Sequence, residues 1–388
     1  MNRDRNRQFA GSAAHRAAAA VVGASLGVLM AAGCLFERAG RPMPAGADAR
    51  QRLRAERALA GTLFQIDIVA GDAARAQAAV EAAFRTVERE AAVLSEYRET
   101  SEVSAVNRAA GIAAVEVSPE TIAVVARARH FSELTGGAFD ITCAACTRLW
   151  SVREALIPGE ESIARCLELI GYRDLAIDPE RSTVYLRRPG MRIGLGGIAK
   201  GYLVDRAFEV LRDMGMTDFV VNGGGDLRLL GRNAGRPWDV VIAHPRDPGA
   251  LIGTLHLEKG AVATSGDYFR FFERDGVRYH HILDPATGMP ARRSIAVTVI
   301  ADNAMDADAL ATGLFVMGPE KGLELVERLP DTEALIIGPD LRPHASRHFP
   351  VHFAPHAPIS SIGADGSARR SAGSGGRRQA GIHEQSDF

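Results

Sequence analysis

The stretch HHILDPATGMP, residues 280–290, gathers side chains that could move a proton. A histidine titrates near neutral pH and can accept a proton from a hydroxyl nucleophile, while a nearby carboxylate can orient the histidine or touch a metal. His281 and Asp284 have these types, and Pro285 and Pro290 stiffen the backbone around them. The stretch therefore predicts a catalytic His281 held beside Asp284. The alternative is a turn capped by histidine that has no chemical role.

A second candidate site combines oxygen ligands with a lysine. DADALAT places Asp308 and Thr312 four residues apart, on one face of a helix. Their oxygens suit Mg²⁺ better than a soft metal, although an isolated pair of this kind could also be a solvated helix surface. GLGGIAKG (194–201) is neither a Walker A loop nor a dinucleotide fingerprint, but it places Lys200 near a helix start. An anion bound there would meet backbone N–H groups, the helix dipole and an ammonium group together.

Glycine-rich polar segments recur between the apolar runs. Glycine lets the backbone approach a ligand closely and presents N–H groups to phosphate oxygens. Each segment alone could be a tight turn, but five of them, several beside Lys or Asp, favour a ligand that carries phosphate. Besides the stretch at 280–290 they are GGAFD (136–140), GLGGIAKG (194–201), NGGGD (222–226) and TSGDY (264–268).

The elements that must position these residues follow from the hydrophobic periodicity. Most strands in the second half follow one another without an intervening helix. This order favours an α+β fold of mixed, largely antiparallel sheets with flanking helices over a doubly wound parallel sheet. We expect residues 56–353 to form a single large catalytic domain. Strands are predicted in GTLFQIDIV, DFVVN, WDVVIAHP, GTLHLEKGAVATS, SIAVTVIA and EALIIG, and helices at 73–95, 118–136, 198–215 and 306–318.

The two ends of the chain differ from the middle in composition. Residues 1–33 combine arginines, an apolar run too short for a comfortable membrane span and small residues, as an export signal does. Cys34 follows Ala-Ala-Gly, which resembles a bacterial lipobox. We therefore expect a lipid-anchored protein on the periplasmic side of a bacterial membrane, with a flexible tether over 34–55. The alternative is an ordinary signal, cleaved or retained, without lipid. The Gly-, Ser- and Arg-rich residues 354–388 predict a disordered tail.

The overall charge of the chain does not indicate an anionic partner. Lys and Arg total 46, and Asp and Glu total 47. No global field would attract nucleic acid or an anionic membrane surface. Nucleic acid is therefore not expected among the partners, and the remaining partners must be inferred from individual sites.

Three cysteines lie beyond the predicted lipid-anchoring Cys34: Cys143, Cys146 and Cys166. In an exported protein the C-x-x-C formed by the first two could be a disulfide, a redox pair or half of a metal site. No second C-x-x-C or nearby histidine pair completes a zinc site. The sequence also allows the plain alternative, two small side chains in a loop or at a helix edge.

Taken in order, the motifs resemble those of the FAD:protein FMN transferase family (ApbE), formerly described as thiamine biosynthesis lipoproteins. The resemblance implies an exported enzyme that binds FAD and Mg²⁺ and splits the pyrophosphate. It would join FMN by a phosphoester bond to a Thr or Ser hydroxyl of an acceptor protein in a flavin-dependent redox system, and AMP would leave. The matching motifs are GTLFQIDI, SEYRETSEVSAVN, GGAFD, LGGIAKGYLVDRA, VNGGGD, TSGDY, HHILDPATGMPA and DADALATGLFVMG.

The resemblance also implies roles for individual residues. His281 is the best candidate for the base that activates the acceptor hydroxyl. Two positions depart from the family pattern: Ala60 stands where Met usually precedes Gly-Thr, and Gly194 stands where Asp often begins the LGGIAKG motif. The implied Mg²⁺ ligands are Gly197 and Ala311 through backbone carbonyls and Asp308 and Thr312 through side-chain oxygens. The residues expected at the FAD site are Ala60, Tyr97, Ala138, Phe139, Asp140, Gly194, Lys200 and Ile282.

Three other functions use overlapping residues. A Mg²⁺-dependent FAD pyrophosphatase would replace the protein hydroxyl with water and release FMN and AMP. A non-enzymatic flavin-binding lipoprotein would bind FAD and release no AMP. A general solute-binding lipoprotein would have two parallel α/β lobes, which the consecutive strands between 219 and 300 argue against.

Overall fold

The computed structural model describes residues 34–35 and 50–353, where long helices alternate with groups of short strands. The helices are Ala73–Leu94 (α1), Glu102–Arg108 (α2), Pro119–Leu134 (α3), Ala144–Thr147 (α4), Glu160–Leu167 (α5), Ala199–Asp213 (α6), Ala304–Met317 (α7) and Pro319–Val326 (α8). The strands are Cys34–Leu35 (β1), Gln51–Leu59 (β2), Thr62–Ala70 (β3), Val115–Glu116 (β4), Leu175–Asp178 (β5), Thr183–Leu186 (β6), Phe219–Gly223 (β7), Asp226–Leu230 (β8), Trp238–Ala243 (β9), Leu251–Leu257 (β10), Lys259–Gly266 (β11), Phe271–Arg274 (β12), Val277–His280 (β13), Leu283–Asp284 (β14), Met289–Pro290 (β15), Ala296–Ala301 (β16), Glu333–Ile337 (β17), Pro343–Ala345 (β18) and His352–Phe353 (β19).

An eight-stranded antiparallel sheet lies at the centre, in the order β18-β17-β16-β11-β8-β7-β3-β2. One face of this sheet packs on the helices and the other on the smaller sheet that contains β9 and β10. Coverage on both faces explains why β16 is buried along nearly its whole length and reads as a continuous apolar run. The prediction of an α+β fold with largely antiparallel sheets in a single domain is confirmed, and the two parallel lobes of a solute-binding protein are absent from the described residues.

The helices α1, α6 and α7 pack against one another and against the sheet. Asp72 caps α1, Ser118 caps α3 and Asn303 caps α7, each by accepting a hydrogen bond from a backbone N–H of the first turn. The carboxylate of Asp205 on α6 accepts hydrogen bonds from the N–H groups of Ala304 and Met305, both at 2.9 Å. These bonds fix the start of α7 against α6. The four predicted helices are confirmed, with ends displaced by a few residues.

A glycine determines how closely α6 and α7 approach each other. A Cβ on Gly201 would lie 2.1 Å from the carbonyl oxygen of Ala304. Only glycine therefore fits at this position, because any side chain would push the two helix backbones apart. α7 is apolar on nearly all sides, as expected for a helix enclosed by its neighbours. No helix among the described residues is long and apolar enough to cross a membrane.

The folded part of the chain begins earlier than predicted. β2 starts at Gln51 and pairs with β3 along its whole length, so the prediction that a flexible tether continues to residue 55 is wrong at that end. Apolar and polar residues alternate in QRLRAERAL, as expected for a strand. The many charged side chains made this alternation difficult to recognise in the sequence. The predicted signal (1–33), residues 36–49 of the tether and the tail (354–388) lie outside the described residues, as does the side chain of Cys34.

A disulfide joins Cys146 to Cys166 across a sequence separation of 20 residues, while Cys143 is free and buried beside it. The C-x-x-C is therefore not itself a disulfide. Burial raises the pKa of the Cys143 thiol to about 12, which keeps it protonated and unreactive. The disulfide lies under the turn that follows His281, because a Cβ on Gly288 would be 3.3 Å from the sulfur of Cys146.

We expect the disulfide to stabilise the fold. Closing a loop of this length restricts the unfolded chain and typically contributes about 2 to 4 kcal/mol. Cys166→Ala should therefore lower the free energy of unfolding measured in urea, and a reductant should have no further effect on that variant. Cys143→Ala is the matched control, and its unfolding should stay sensitive to reductant. Wild-type unfolding that is unchanged by reductant would contradict the pairing.

Candidate active site

Lys200, on the first turn of α6, contacts two buried carboxylates that lie far apart in the sequence. Its Nζ donates a hydrogen bond to Asp226, at the start of β8, and another to Oδ1 of Asp308 on α7 at 3.2 Å. The backbone N–H of Gly201 donates to Oδ2 of Asp308 at 3.1 Å. Three of the glycine-punctuated or helical motifs, NGGGD, GLGGIAKG and DADALAT, therefore meet at one ammonium group.

Burial and the neighbouring charges shift the pKa values of Lys200 and Asp226 in this cluster. Burial opposes the charge of Lys200, but Asp226 and Asp308 outweigh that effect and raise the pKa of the ammonium group. Burial, together with the negative charge of Asp308, raises the pKa of Asp226. Sequence reasoning assigned no role to Asp226, although its position directly after the glycine run of NGGGD was a usable signal.

Thr312 lies on the same face of α7 as Asp308 and faces the GLGGIAKG loop. Its Oγ1 is 3.3 Å from the hydroxyl of Ser265 in TSGDY. A Cβ on Gly197 would lie 3.1 Å from Oγ1 of Thr312 and 3.2 Å from the ring of Phe139, so glycine lets the loop backbone pack closely against Thr312. Ala311, which precedes Thr312, is buried within α7. The structure thus brings the proposed metal ligands to one place.

Any cation at this position would depend largely on hydroxyl and carbonyl oxygens. Within residues 50–353 no group of three or more His, Cys, Asp or Glu side chains is placed to hold a metal ion. Asp308 supplies one carboxylate and Thr312 one hydroxyl. Such a set suits a hard cation and does not suit zinc or copper.

His281 presents a ring nitrogen that can accept a proton. Its side chain is exposed to solvent, yet many protein atoms surround it at longer range. This desolvation lowers the pKa of His281, and the positive charges of Arg270, His280 and Lys200 lower it further. The backbone carbonyl of Arg270 lies 3.4 Å from Nδ1 and can only accept. Nδ1 therefore carries the proton, and Nε2 of the neutral ring keeps its lone pair.

The neighbours of His281 have structural roles. His280 is buried: its Nε2 donates to the carbonyl oxygen of Ala291 at 2.8 Å, and its Nδ1 accepts from the N–H of Ile282. Asp284 was predicted to orient His281 or touch a metal. Its Oδ1 instead accepts from the N–H of Ala286 at 2.9 Å and closes the turn. This local bond is favoured when a carboxylate is followed by proline and a turn. The backbone carbonyl of Arg270, rather than Asp284, accepts the hydrogen bond that orients the His281 ring.

The residues expected at the FAD site differ in how much of each side chain is exposed to solvent. The ring of Tyr97 is 56% exposed. Phe139 is buried edge-on against Phe131 and contacts the space above Gly197. The carboxylate of Asp140 accepts from the side chain and the N–H of Thr142 and from the N–H of Tyr172, so the protein already uses both of its oxygens. Only Tyr97 of these three presents a large open surface.

The other expected FAD-site residues lie in turns or at the edges of the core. Ala60 adopts a positive φ of 52° in the turn between β2 and β3. The N–H of Ala138 donates to Thr135, and Ile282 is buried with its carbonyl accepting from the N–H of Ala291. Gly194 begins the loop that ends at Lys200, and its N–H donates to Ile141 at 2.9 Å.

A family model described as "ApbE family" matches residues 60–336. The chain belongs to the ApbE family. A protein of Treponema pallidum named FAD:protein FMN transferase is 37% identical over 318 residues, which are 76% of this chain and 87% of that protein. A protein of Escherichia coli K12 with the same name is 30% identical over 74% of this chain and 85% of its own length.

Solved ApbE structures share the fold. The ApbE protein of Thermotoga maritima aligns with a TM-score of 0.72 at 35% identity, covering 77% of this chain and 98% of its own. The flavin transferase ApbE of Vibrio cholerae aligns with a TM-score of 0.69 at 32% identity over the same shares. The resemblance seen in the motifs is therefore confirmed, and the part of this ApbE chain that matches contains every active-site residue described above.

We expect Lys200 to be needed for stability as well as for chemistry. In Lys200→Met two nearly inaccessible carboxylates lose their counter-charge, and removing one member of a buried ion pair typically costs about 3 to 5 kcal/mol. The loss should appear in the free energy of unfolding. Arg212→Met, which breaks an exposed pair with Asp213, is the control and should cost at most about 1 kcal/mol. Equal stability of the two variants would contradict the arrangement.

Proposed function

We propose that this chain transfers FMN from FAD to a Thr or Ser hydroxyl of an acceptor protein and releases AMP. The observation that carries the proposal is the convergence of Lys200, Asp226 and Asp308, with Thr312 on the same helix face as Asp308. The charge of Lys200 also acts on the pKa of His281. Attack on a diphosphate needs its negative charge neutralised and needs a base for the nucleophile. The cluster supplies the first requirement and His281 the second. The names of the relatives agree with this reaction.

Mg²⁺ is the metal that we propose at the cluster. The donor set fits it, because Asp308 and Thr312 offer hard oxygens on one helix face and the backbone of Gly197 packs closely against Thr312. Backbone carbonyls of Gly197 and Ala311 would complete the protein ligands. When bound, Mg²⁺ would neutralise phosphate oxygens of the diphosphate.

The residues of the chain then have defined roles in the transfer. The acceptor hydroxyl oxygen attacks the phosphorus of the FMN half of FAD, and Nε2 of His281 takes the hydroxyl proton. The bond between that phosphorus and the bridging oxygen breaks, and AMP leaves with the electron pair. Lys200 stabilises the charge that develops on the phosphate oxygens. The products are the FMN phosphoester of the acceptor and AMP.

Water in place of the acceptor hydroxyl would give the pyrophosphatase reaction. The open ring of His281 admits either nucleophile, so the competing reaction requires nearly the same residues. A binding protein without catalysis would need no base and would leave FAD intact. One incubation with FAD, Mg²⁺ and an acceptor domain separates the three functions by protein-bound flavin, free FMN or unchanged FAD.

We also propose that the mature protein is exported and anchored by lipid at Cys34 on the periplasmic side of the membrane. The support is the sequence around Cys34, an apolar run before it and a polar segment after it. In Cys34→Ala, metabolic labelling with a fatty acid should disappear and the protein should leave the membrane fraction. Unchanged labelling would refute the anchor.

His281→Ala tests the base. Loss of a positioned base typically lowers the rate by about 10² to 10⁴-fold. The exposed ring makes one long hydrogen bond, so the melting temperature and the Kd for FAD should stay near wild type while transfer collapses. His280→Ala is the matched control. It removes a buried ring with two hydrogen bonds, so it should lower the melting temperature and retain more transfer activity at low temperature.

Two results would contradict the assignment of the base. Transfer by His281→Ala at a rate near wild type would exclude this residue. Transfer lost more severely in His280→Ala than in His281→Ala, at a temperature where both variants are folded, would move the base elsewhere in the cleft.

Asp308→Ala tests the metal. It should abolish transfer at all Mg²⁺ concentrations, whereas Thr312→Ala should recover part of its activity at high Mg²⁺ because the carboxylate remains. Asp306→Ala is a control on the same helix, since Asp306 pairs with Arg127 outside the cluster. It should keep the Mg²⁺ dependence of the wild type. Full activity of Asp308→Ala in EDTA would refute the proposed metal site.

A further inference from the structure

A cleft of about 600 Å³ opens beside the start of the GLGGIAKG loop. Its lining includes Glu96, Tyr97, Ser104, Arg108 and Arg192. Tyr97 presents an exposed aromatic ring, and the two arginines bring positive charge. The cleft thus offers a flat apolar surface and charged groups of both signs, a combination suited to a nucleotide.

Glu96 and Gly194 share one space in this cleft. A Cβ on Gly194 would lie 2.8 Å from Oε1 and 2.9 Å from Oε2 of Glu96, and 3.0 Å from the Cβ of Ala144. Gly194 does not have a positive φ, so its backbone conformation is open to any residue. A side chain at residue 194 would therefore displace the Glu96 carboxylate from its present position, and glycine lets that carboxylate lie over residue 194.

The carboxylate of Glu96 has no hydrogen-bond partner among the residues that the structure describes. The side chain is half-buried. Burial raises its pKa to about 7, and the positive charge of Arg192 opposes this increase in part. The carboxylate oxygens of Glu96 are not buried away from the cleft, so a ligand group bound there can donate a hydrogen bond to them.

The loop connects this carboxylate to the reaction centre. Gly194 lies at its first position and Lys200 near its end, at the N-terminus of α6. Gly197, between them, faces Thr312 and Phe139. A ligand that follows the loop would place its phosphates near Lys200 and a ring or sugar in the cleft.

We propose that Glu96 is an FAD-binding residue of this chain, whose carboxylate accepts a hydrogen bond from an N–H or O–H group of FAD in the space that Gly194 leaves open. The inference rests on the proposed function, because FAD is the ligand. Glu96 and Gly194 are a coupled pair in this account. An aspartate at residue 194 would place its own carboxylate in the space that the Glu96 carboxylate occupies. We therefore expect FAD binding to need one carboxylate in this space, supplied either by residue 96 or by residue 194.

The first experiment measures the Kd of the full chain for FAD by quenching of flavin fluorescence. Glu96→Gln keeps the size of the side chain and removes its charge, and losing one charge-assisted hydrogen bond should weaken binding about 10-fold. Gly194→Ala should weaken binding similarly, because its Cβ displaces the carboxylate. Glu180→Gln, which removes an exposed carboxylate that does not line the cleft, should leave the Kd unchanged. Melting temperatures check that each variant is folded.

The second experiment exchanges the two residues. Gly194→Asp should bind FAD poorly because two carboxylates would occupy one space. Glu96→Ala/Gly194→Asp should restore binding to near the wild-type Kd, since one carboxylate is again present. A folded double variant that binds no better than either single variant would overturn the inference, as would a Kd for Glu96→Gln equal to that of the wild type.

Binding of FMN and ADP separately identifies the half of FAD that donates. Weaker binding of FMN alone to Glu96→Gln places the donor in the flavin half, and weaker binding of ADP alone places it in the adenosine half. Either result supports the inference, whereas unchanged binding of both fragments contradicts direct contact. Wild-type protein that binds FAD in a Glu96-dependent manner but transfers no FMN would refute the proposed function alone. Failure of the wild type to bind FAD would refute both.

Discussion

The ion pairs of Lys200 with Asp226 and Asp308 are the constraint on which the site depends. A buried carboxylate is costly unless it is paired, and here one ammonium group serves two. The pairing is possible because Gly201 lets α6 and α7 touch and because Asp205 caps α7 from the side of α6. The same contacts bring the hydroxyl of Thr312 and the backbone of Gly197 together near the N-terminus of α6. The architecture thus gathers positive charge and oxygen atoms at one place, as the proposed reaction requires.

Local patterns in the sequence predicted most elements and several candidate residues that the fold brings together, because each of these signals spans only a few positions. Apolar alternation identified the strands, and Asp308 with Thr312 had to share a helix face. Three features could not be predicted from local patterns, because they depend on contacts between segments that are distant in the sequence. Asp226 gains its role only from Lys200 and Asp308, Cys146 bonds with Cys166 rather than with Cys143 in its own motif, and Gln51–Leu59 is a strand only because β3 offers it an edge. The local turn of Asp284 also could not be read from the motif, and in this turn its Oδ1 accepts from the N–H of Ala286.

Two departures from the family pattern have different structural settings. Ala60 lies in a tight hairpin turn with a positive φ, away from the ion pairs of Lys200. Gly194 instead faces Glu96, so the loss of one side chain coincides with a carboxylate that reaches into the same space. If Glu96 binds FAD as proposed, its carboxylate supplies from residue 96 a group that a side chain at residue 194 could also supply. Such an exchange is invisible in a motif, because Glu96 and Gly194 are almost a hundred residues apart.

The central claim is that the Lys200 cluster and His281 together move FMN from FAD to a protein hydroxyl. The most direct measurement is a single incubation of the protein with FAD, Mg²⁺ and an acceptor domain, in which AMP and acceptor-bound flavin are both quantified by mass spectrometry. The account predicts equal amounts of AMP and covalently flavinylated acceptor, and neither product when the acceptor threonine or serine is replaced by alanine. Release of AMP with free FMN and no flavin on the acceptor would contradict it.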